Sequence, residues 1–285
     1  MTLEPEVSIQ SVYETITGKI RGYFQNAGKT RAVLGLSGGV DSAIVAALAA
    51  DALGAENVHG ILMPSGFSTS HSVTDSLDLV ERLGISCETI PISDLYDTAM
   101  QTMSGFFADG KWSVAQENIQ ARLRGLILMA YSNKFDALVL NTSNKSELST
   151  GYGTLYGDLA GAMMVIADLY KTQVYELCAY INRDSERIPE HILTKAPSAE
   201  LREGQKDSDS LPDYPTLDAV LHAMNEEGLS ADEVVARFEA AGGRDAAEKA
   251  RRAVALRRGS AFKIMQIPPI ITVCGKPLAP AFKCI

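Results

Sequence analysis

Leu34-Gly35-Leu36-Ser37-Gly38-Gly39-Val40-Asp41-Ser42 follows the apolar run Ala32-Val33-Leu34 and precedes Ala43-Ile44-Val45-Ala46-Ala47-Leu48, a helical pattern. A strand that ends in Ser-Gly-Gly and turns into a helix presents bare backbone N–H groups to an anion. Gly38 and Gly39 let that backbone approach an oxyanion with no Cβ in the way. A Walker A loop needs GxxxxGK[ST], with a lysine for the β- and γ-phosphates. Here there is no lysine, and Asp41 stands where the helix starts. A carboxylate beside bound phosphates makes sense with a Mg²⁺ between them. The stretch therefore reads as a cradle for Mg-pyrophosphate. The plainer alternative is a tight strand-to-helix turn with Asp41 or Ser42 as its N-cap.

Outward from this loop, strand and helix patterns alternate. Apolar residues Ile9, Val12, Tyr13, Ile16, Ile20, Tyr23 and Phe24 recur at helical spacing and predict a helix that packs on a sheet or on a second subunit. Strands are predicted over 32–36, 58–63, 87–90 and 137–141. Helices are predicted over 41–52, 73–83, 95–103, 116–133 and 171–182. The alternation implies an α/β fold, a doubly wound parallel sheet with helices on both faces. Ligands of such sheets sit outside the carboxyl ends of the strands, where Ser37 and Thr142-Ser143-Asn144 both fall. The stretch 151–158 is glycine-rich and irregular, and 197–215 is polar, proline-punctuated and expected to be mobile. Helices over 218–226, 231–240 and 244–258 and a proline-interrupted tail with a short extended piece complete the chain. The expected organisation is one domain over 1–285: an N-terminal helix (9–27), an α/β core (31–195) and a C-terminal helical cluster with its tail (216–285).

Bulk properties narrow the function. The 285 residues are 46% hydrophobic and carry a net charge of −9. That acidity argues against a broad nucleic-acid surface, while a small anionic ligand needs only a local positive pocket. No apolar run reaches the ~18 residues of a membrane span. The acidic start Met1-Thr2-Leu3-Glu4-Pro5-Glu6 is no signal peptide. Cys87, Cys178, Cys274 and Cys284 are scattered, without a CxxC pair, and suit a reducing cytoplasm rather than a zinc or disulfide framework.

Further segments carry chemistry. Glu117-Asn118-Ile119-Gln120-Ala121-Arg122-Leu123-Arg124 opens a long helix, and Thr142-Ser143-Asn144-Lys145-Ser146-Glu147 follows an apolar strand. Gly151-Tyr152 leads to Tyr156-Gly157-Asp158, and Asp168-Leu169-Tyr170-Lys171 precedes Thr172-Gln173-Val174. Later come Lys195-Ala196-Pro197-Ser198-Ala199-Glu200-Leu201, Asp207-Ser208-Asp209, and Lys263 shortly before Pro268-Pro269.

The SGGVDS loop resembles the pyrophosphate loop of the ATP pyrophosphatases. With the other segments, in this order, the chain from about Arg31 to Pro269 closely resembles NAD synthetase. The resemblance implies an adenine nucleotide α-hydrolase-like fold with extra helices and a homodimer. It implies amidation of deamido-NAD (nicotinic acid adenine dinucleotide) with ATP and ammonia, releasing AMP and pyrophosphate. By the same resemblance Gly35, Leu36, Ser37, Gly38, Gly39, Val40, Asp41 and Ser42, with Thr142, Lys171 and Ser198, bind ATP. Asp41 and Glu147 bind Mg²⁺. Asn118, Arg122, Glu147, Tyr152, Leu155 and Lys263 contact deamido-NAD. Asp158 sits near the incoming ammonia, where an aspartate can accept a proton from ammonium. Asp41, Glu147, Asp158 and Lys171 thus form the expected catalytic set.

Each residue also has a plainer reading. Glu147 could be a helix N-terminal acid, Lys171 a solvated lysine, Asp158 a turn residue, and Arg122 and Arg124 merely solvated. Leu155 and Ala162 stand where many stand-alone members have a lysine and an aspartate, and the Thr-Leu-Tyr-Gly-Asp-Leu-Ala-Gly form looks like the synthetase domain of glutamine-dependent members. Those members carry an N-terminal glutaminase, for which the chain before Ser37 has no room. The expectation is a free-standing cytoplasmic synthetase using free ammonia or ammonia from a separate glutaminase. The competing functions are another ATP-pyrophosphatase ligase, GMP synthetase-like or tRNA-thiolating, and a non-catalytic nucleotide-binding module.

Overall fold

The computed structural model describes residues 7–273 and 276–285. Cys274 and residues 1–6, both used above, lie outside the described residues. Strand β1 (Arg31–Leu36) is the middle of a five-stranded parallel sheet. Strands β2 (Val58–Leu62) and β3 (Ser86–Thr89) extend it on one side, and β4 (Ala137–Asn141) and β5 (Met163–Met164) on the other, in the order β3-β2-β1-β4-β5. The helices are α1 (Ile9–Asn26), α2 (Val40–Leu53), α3 (Ser70–Leu83), α4 (Ser93–Thr102), α5 (Val114–Phe135), α6 (Lys145–Thr150), α7 (Lys171–Ile181), α8 (Glu190–Thr194), α9 (Tyr214–Asn225) and α10 (Ala231–Ser260).

Side chains alternate across the sheet, as the two-residue repeat of a strand requires. Ala32, Leu34 and Leu36 point into the main core with α1, α2 and α7. Val33, Ile61 and Val139 point the other way, toward Leu128 and Tyr131 of α5. The sheet is covered on both faces, as its continuous apolar strands demand. The Ser8 hydroxyl caps α1 by accepting Ser11 N–H. That helix buries Val12, Ile16, Ile20 and Phe24 against α2 and α7 of its own chain. Each such fully buried side chain stabilises by roughly 1.5–3 kcal/mol.

Several expectations are corrected. The short helices α6 and α8 and the two-residue strand β5 were not predicted. Helix α9 begins at Tyr214 rather than at 218, with Pro215 in its first turn, where the missing N–H costs nothing. The two helices expected over 231–240 and 244–258 are present within the α10 span, separated by the non-helical backbone of Gly243 (φ 69°, ψ −157°). The expected extended piece of the tail exists: Ile270 bridges to Met164 and to Cys284. Among the described residues no helix is long and apolar enough to cross a membrane.

Candidate active site

The order in which strands are added reverses between β1 and β4, which run parallel: β2 and β3 are added on one side, β4 and β5 on the other. The crevice at such a reversal is where open α/β sheets bind ligands. The loop after β1 and the loop after β4 both open into a cavity of about 280 Å³ there. The Ser37–Ser42 turn feeds α2 without a side-chain cap, because Gly39 is the N-cap and neither Asp41 nor Ser42 takes that role. The Ser42 hydroxyl instead donates to Gly39 O (3.0 Å) and lies 3.1 Å from the Ser37 hydroxyl, holding the turn in shape. Gly38 adopts φ +73°, and a Cβ there would fall 2.4 Å from Ser72 O. Only glycine lets the turn press against α3. Gly35, Leu36, Ser37, Gly39, Val40, Asp41, Ser42, Thr142 and Ser198 line the cavity; Gly38 shapes its wall from behind.

Three charged groups meet at the base of this cavity. Lys171, the first residue of α7, is 2% exposed, which removes its reading as a solvated lysine. Its ammonium donates to Asp41 Oδ2 and lies 3.8 Å from Glu147 Oε1. Asn144 joins the two acids. Its side-chain amide donates to Asp41 Oδ1 (3.0 Å), and its carbonyl oxygen accepts Glu147 N–H (2.9 Å). Glu147 returns the cap by accepting Asn144 N–H (3.2 Å), so it is a helix N-terminal acid and faces the lysine as well. Burial alone would lower Lys171; Asp41 and Glu147 outweigh it and hold the ammonium above its ordinary range. Burial, then repulsion from Asp41, pushes the Glu147 carboxyl well above the usual carboxylate range, with Lys171 opposing.

This donor set fits Mg²⁺. Two hard carboxylates converge on one cationic position, and that ion takes one or two carboxylates and completes its shell with water and phosphate oxygens. Among the described residues no cluster of three or more His, Cys, Asp and Glu forms a ready-made metal site.

Asp158 faces the same cavity from the glycine-rich stretch. It accepts Thr154 N–H (2.7 Å), while Asn141 at the end of β4 donates to its carbonyl (2.6 Å) and to Ala160 O (2.9 Å). Surrounding protein pushes its carboxyl up, and the bonds from the Thr154 backbone pull it back. Gly157 lies where a Cβ would meet Ala121 C at 2.9 Å, so the turn sits directly on α5.

Asn118, Arg122, Leu155 and Lys263 stand outside the cavity, gathered around this turn. The Asn118 side-chain oxygen accepts the Thr154 hydroxyl (2.7 Å), and Arg122 Nε donates to Leu155 O (3.3 Å). Lys263 Nζ donates to Gly151 O (2.8 Å) and Gly153 O (2.6 Å). Tyr152 does line the cavity, and its hydroxyl donates to Asp207 (3.1 Å), as does that of Tyr214 (2.7 Å). The Lys171 ammonium sits over the Tyr214 ring, 5.3 Å from its centroid. The segment 197–211 closes the remaining side: the Ser198 hydroxyl donates to Gln205 O (2.6 Å), and the Glu200 carboxylate accepts from the Thr69 backbone (3.1 Å) and the Ser72 hydroxyl (2.7 Å).

A sequence model of the NAD synthase family matches residues 12–267, nine-tenths of the chain and all of the elements that build this site. The chain belongs to the NAD synthase family. Glutamine-dependent NAD(+) synthetase of Synechocystis sp. is 44% identical over 287 residues, covering 98% of this chain and 50% of the relative. The enzyme of the same name from Thermotoga maritima is 49% identical over 224 residues, covering 78% of this chain and 39% of the relative. The chain thus spans about half the length of these relatives or less. Among solved structures, the NH3-dependent NAD synthetase of Campylobacter jejuni superposes with a TM-score of 0.72 at 32% identity, covering 93% of this chain and 100% of that one. NMN synthetase of Francisella tularensis gives the same TM-score at 29% identity, covering 90% and 96%.

For this NAD synthase chain, two residues at the site carry no role in the sequence reading. Asn144 positions both acids, and its signal in the sequence is Asn three residues before Glu, a helix-start pattern. Arg124, for which the plainer alternative is a solvated side chain, lines the cavity. Nothing in the spacing could show this, because α5 carries apolar residues on nearly every side.

Proposed function

We propose that this chain is an AMP-forming carbon–nitrogen ligase that amidates deamido-NAD to NAD, with ATP as activating substrate and ammonia as nitrogen donor. The observation that carries this reading is the meeting of Asp41, Glu147 and Lys171 beside the Ser37–Ser42 turn. A carboxylate resists amine attack because its leaving group would be oxide. Attack of the nicotinate carboxylate oxygen on the α-phosphorus forms an acyl-adenylate and breaks the bond to the β-phosphate, releasing pyrophosphate. The Ser37–Ser42 backbone N–H groups and the Lys171 ammonium face the charge that develops. Asp41 and Glu147 would hold Mg²⁺, which when bound screens the charge of the phosphate oxygens. Ammonia then adds to the acyl carbon, Asp158 takes a proton from the nitrogen, and AMP leaves.

Deamido-NAD is placed by the family resemblance across the turn held by Asn118, Arg122, Leu155 and Lys263, with Tyr152 and Glu147 on the cavity side. The homodimer is part of the same reading. Helix α5 leaves Val114, Leu126 and Met129 exposed beside Arg122, as a subunit contact next to the dinucleotide site would require. Activity in the cytoplasm and, for the whole protein, ammonia delivered by a glutaminase are also parts of this proposal.

The test is incubation of the purified chain with ATP, Mg²⁺ and deamido-NAD, with ammonium or glutamine in parallel. AMP and NAD are expected with ammonium. NAD from glutamine as readily as from ammonium would overturn the donor assignment. Turnover of nicotinic acid mononucleotide in place of the dinucleotide would move the reading toward the activity named for the Francisella relative. A GMP synthetase-like or tRNA-thiolating ligase would ignore deamido-NAD, and a binding module would make no AMP.

A further inference from the structure

Arg124 and Lys195 both line the cavity beside Lys171, and Lys195 lies 3.6 Å from Asp75 while Arg124 has no such carboxylate partner among the described residues. Arg124 projects from α5, and its Nε donates to Met63 O (3.1 Å), just beyond the end of β2 and next to β1. Among the described residues that is its sole hydrogen bond, and no carboxylate lies within 4.0 Å of its guanidinium. Other enclosed cations are paired. Lys145 lies 2.9 Å from Asp168 and 2.7 Å from Glu226, and Lys171 meets Asp41. Enclosed charges are ordinarily paired because leaving one alone is costly. Burial pulls the Arg124 guanidinium down to about 10, with Asp158 and Glu200 acting against it from further away.

The cavity wall that Arg124 shares includes Ser37, Asp41 and Lys171. A guanidinium offers a planar fork of N–H donors suited to phosphate oxygens. Nε is engaged on Met63 O, which leaves the terminal N–H groups free to face a ligand. We propose that Arg124 is a further nucleotide-binding residue, whose terminal N–H groups take an oxygen of the α-phosphate. This rests on the nucleotide occupying the Ser37 cradle, as in the proposed function. It makes Arg124 the counter-charge of the adenylyl group, while Lys171 and the cradle serve the departing pyrophosphate.

The test is titration of the full chain with AMP, ATP and adenosine, comparing the native protein with Arg124→Gln and Arg124→Lys. Circular dichroism melting identifies a variant that fails to fold. Arg124→Gln is expected to weaken AMP and ATP tenfold or more and to leave adenosine within twofold. Arg124→Lys, which keeps the charge, is expected to recover part of the lost AMP affinity. Equal weakening of all three ligands, or none, would overturn the proposal, as would a folded Arg124→Lys that binds AMP no better than Arg124→Gln. If Arg124→Gln does not fold, the Lys variant alone decides: AMP must weaken more than adenosine. No step needs deamido-NAD, so a native chain that binds AMP but makes no NAD would fail the proposed function without touching this inference.

Discussion

The Asn144 side-chain amide donates to Asp41 Oδ1 at 3.0 Å, linking the helix that follows β4 to the helix that follows β1. The same side chain accepts Glu147 N–H as the N-cap of α6. One residue therefore sets both the distance between the two acids and the start of the helix that carries one of them. Asn144→Ala is expected to cost about 1 kcal/mol through the lost cap alone, and NAD formation should fall more than stability explains. Asn144→Asp keeps the cap but places a second carboxylate against Asp41. Denaturant unfolding should find it nearer to the native protein than the Ala variant, while activity falls in both. Equal activity of Asn144→Asp and the native chain would remove the positioning role.

Gly38 tests the cradle itself. Its φ of +73° and the 2.4 Å clearance to Ser72 O leave no room for a methyl group. Gly38→Ala is expected to destabilise by about 1–3 kcal/mol and to abolish ATP binding measured by titration. ATP affinity unchanged in a folded variant would mean that the nucleotide lies elsewhere.

Glu147 gives a prediction with opposite signs for stability and activity. Its folded carboxyl is held above its unfolded value by burial and by Asp41. A group whose folded value is raised contributes stability that is present below the unfolded value and lost as pH rises through the folded one. At neutral pH the ligand-free protein therefore carries a cost that glutamine avoids. Glu147→Gln is expected to melt higher than the native chain at neutral pH, with the gain shrinking as pH falls from the raised folded value and vanishing once the ordinary carboxylate range is reached. Its NAD formation should be lost. A lower melting temperature at neutral pH would contradict the account of this cluster.

Asp158 separates the two half-reactions. Asp158→Asn should slow amide formation more than ATP/pyrophosphate exchange, since its proposed work begins after the adenylate has formed. Equal loss in both assays would remove that role.

Helix α5 provides the test of assembly. Leu126 is 60% exposed and Met129 40%. The double change Leu126→Asp with Met129→Asp is expected to shift sedimentation from dimer to monomer and to weaken deamido-NAD more than ATP. A native chain that sediments as a monomer would exclude the homodimer.

What the sequence made legible was local. The strand at 137–141 is a short apolar run, the cradle is a glycine pair between strand and helix, and α1 shows an uninterrupted helical repeat. What stayed hidden depends on contacts between distant residues. Helix α6 reads Lys-Ser-Glu-Leu-Ser-Thr, a polar stretch of six residues. It exists because Asn144 caps it and because Ser146 donates to Asp218 (2.5 Å) and Lys145 to Asp168 (2.9 Å). Strand β5 is two residues long and is defined by pairing with β4 and with Ile270. Asp41 and Lys171 meet across 130 positions, a distance no spacing rule can bridge; the family resemblance grouped them as ATP ligands. Asn118, Arg122 and Lys263 clamp the 151–155 turn through four bonds that depend on how that turn folds.

The central claim is that the cradle activates a carboxylate by adenylation. Deamido-NAD carrying ¹⁸O in its nicotinate carboxyl group, turned over with ATP, Mg²⁺ and ammonium, tests it directly by mass spectrometry of the products. The account predicts one ¹⁸O in each AMP released and none in pyrophosphate. Label absent from AMP while NAD accumulates would contradict it.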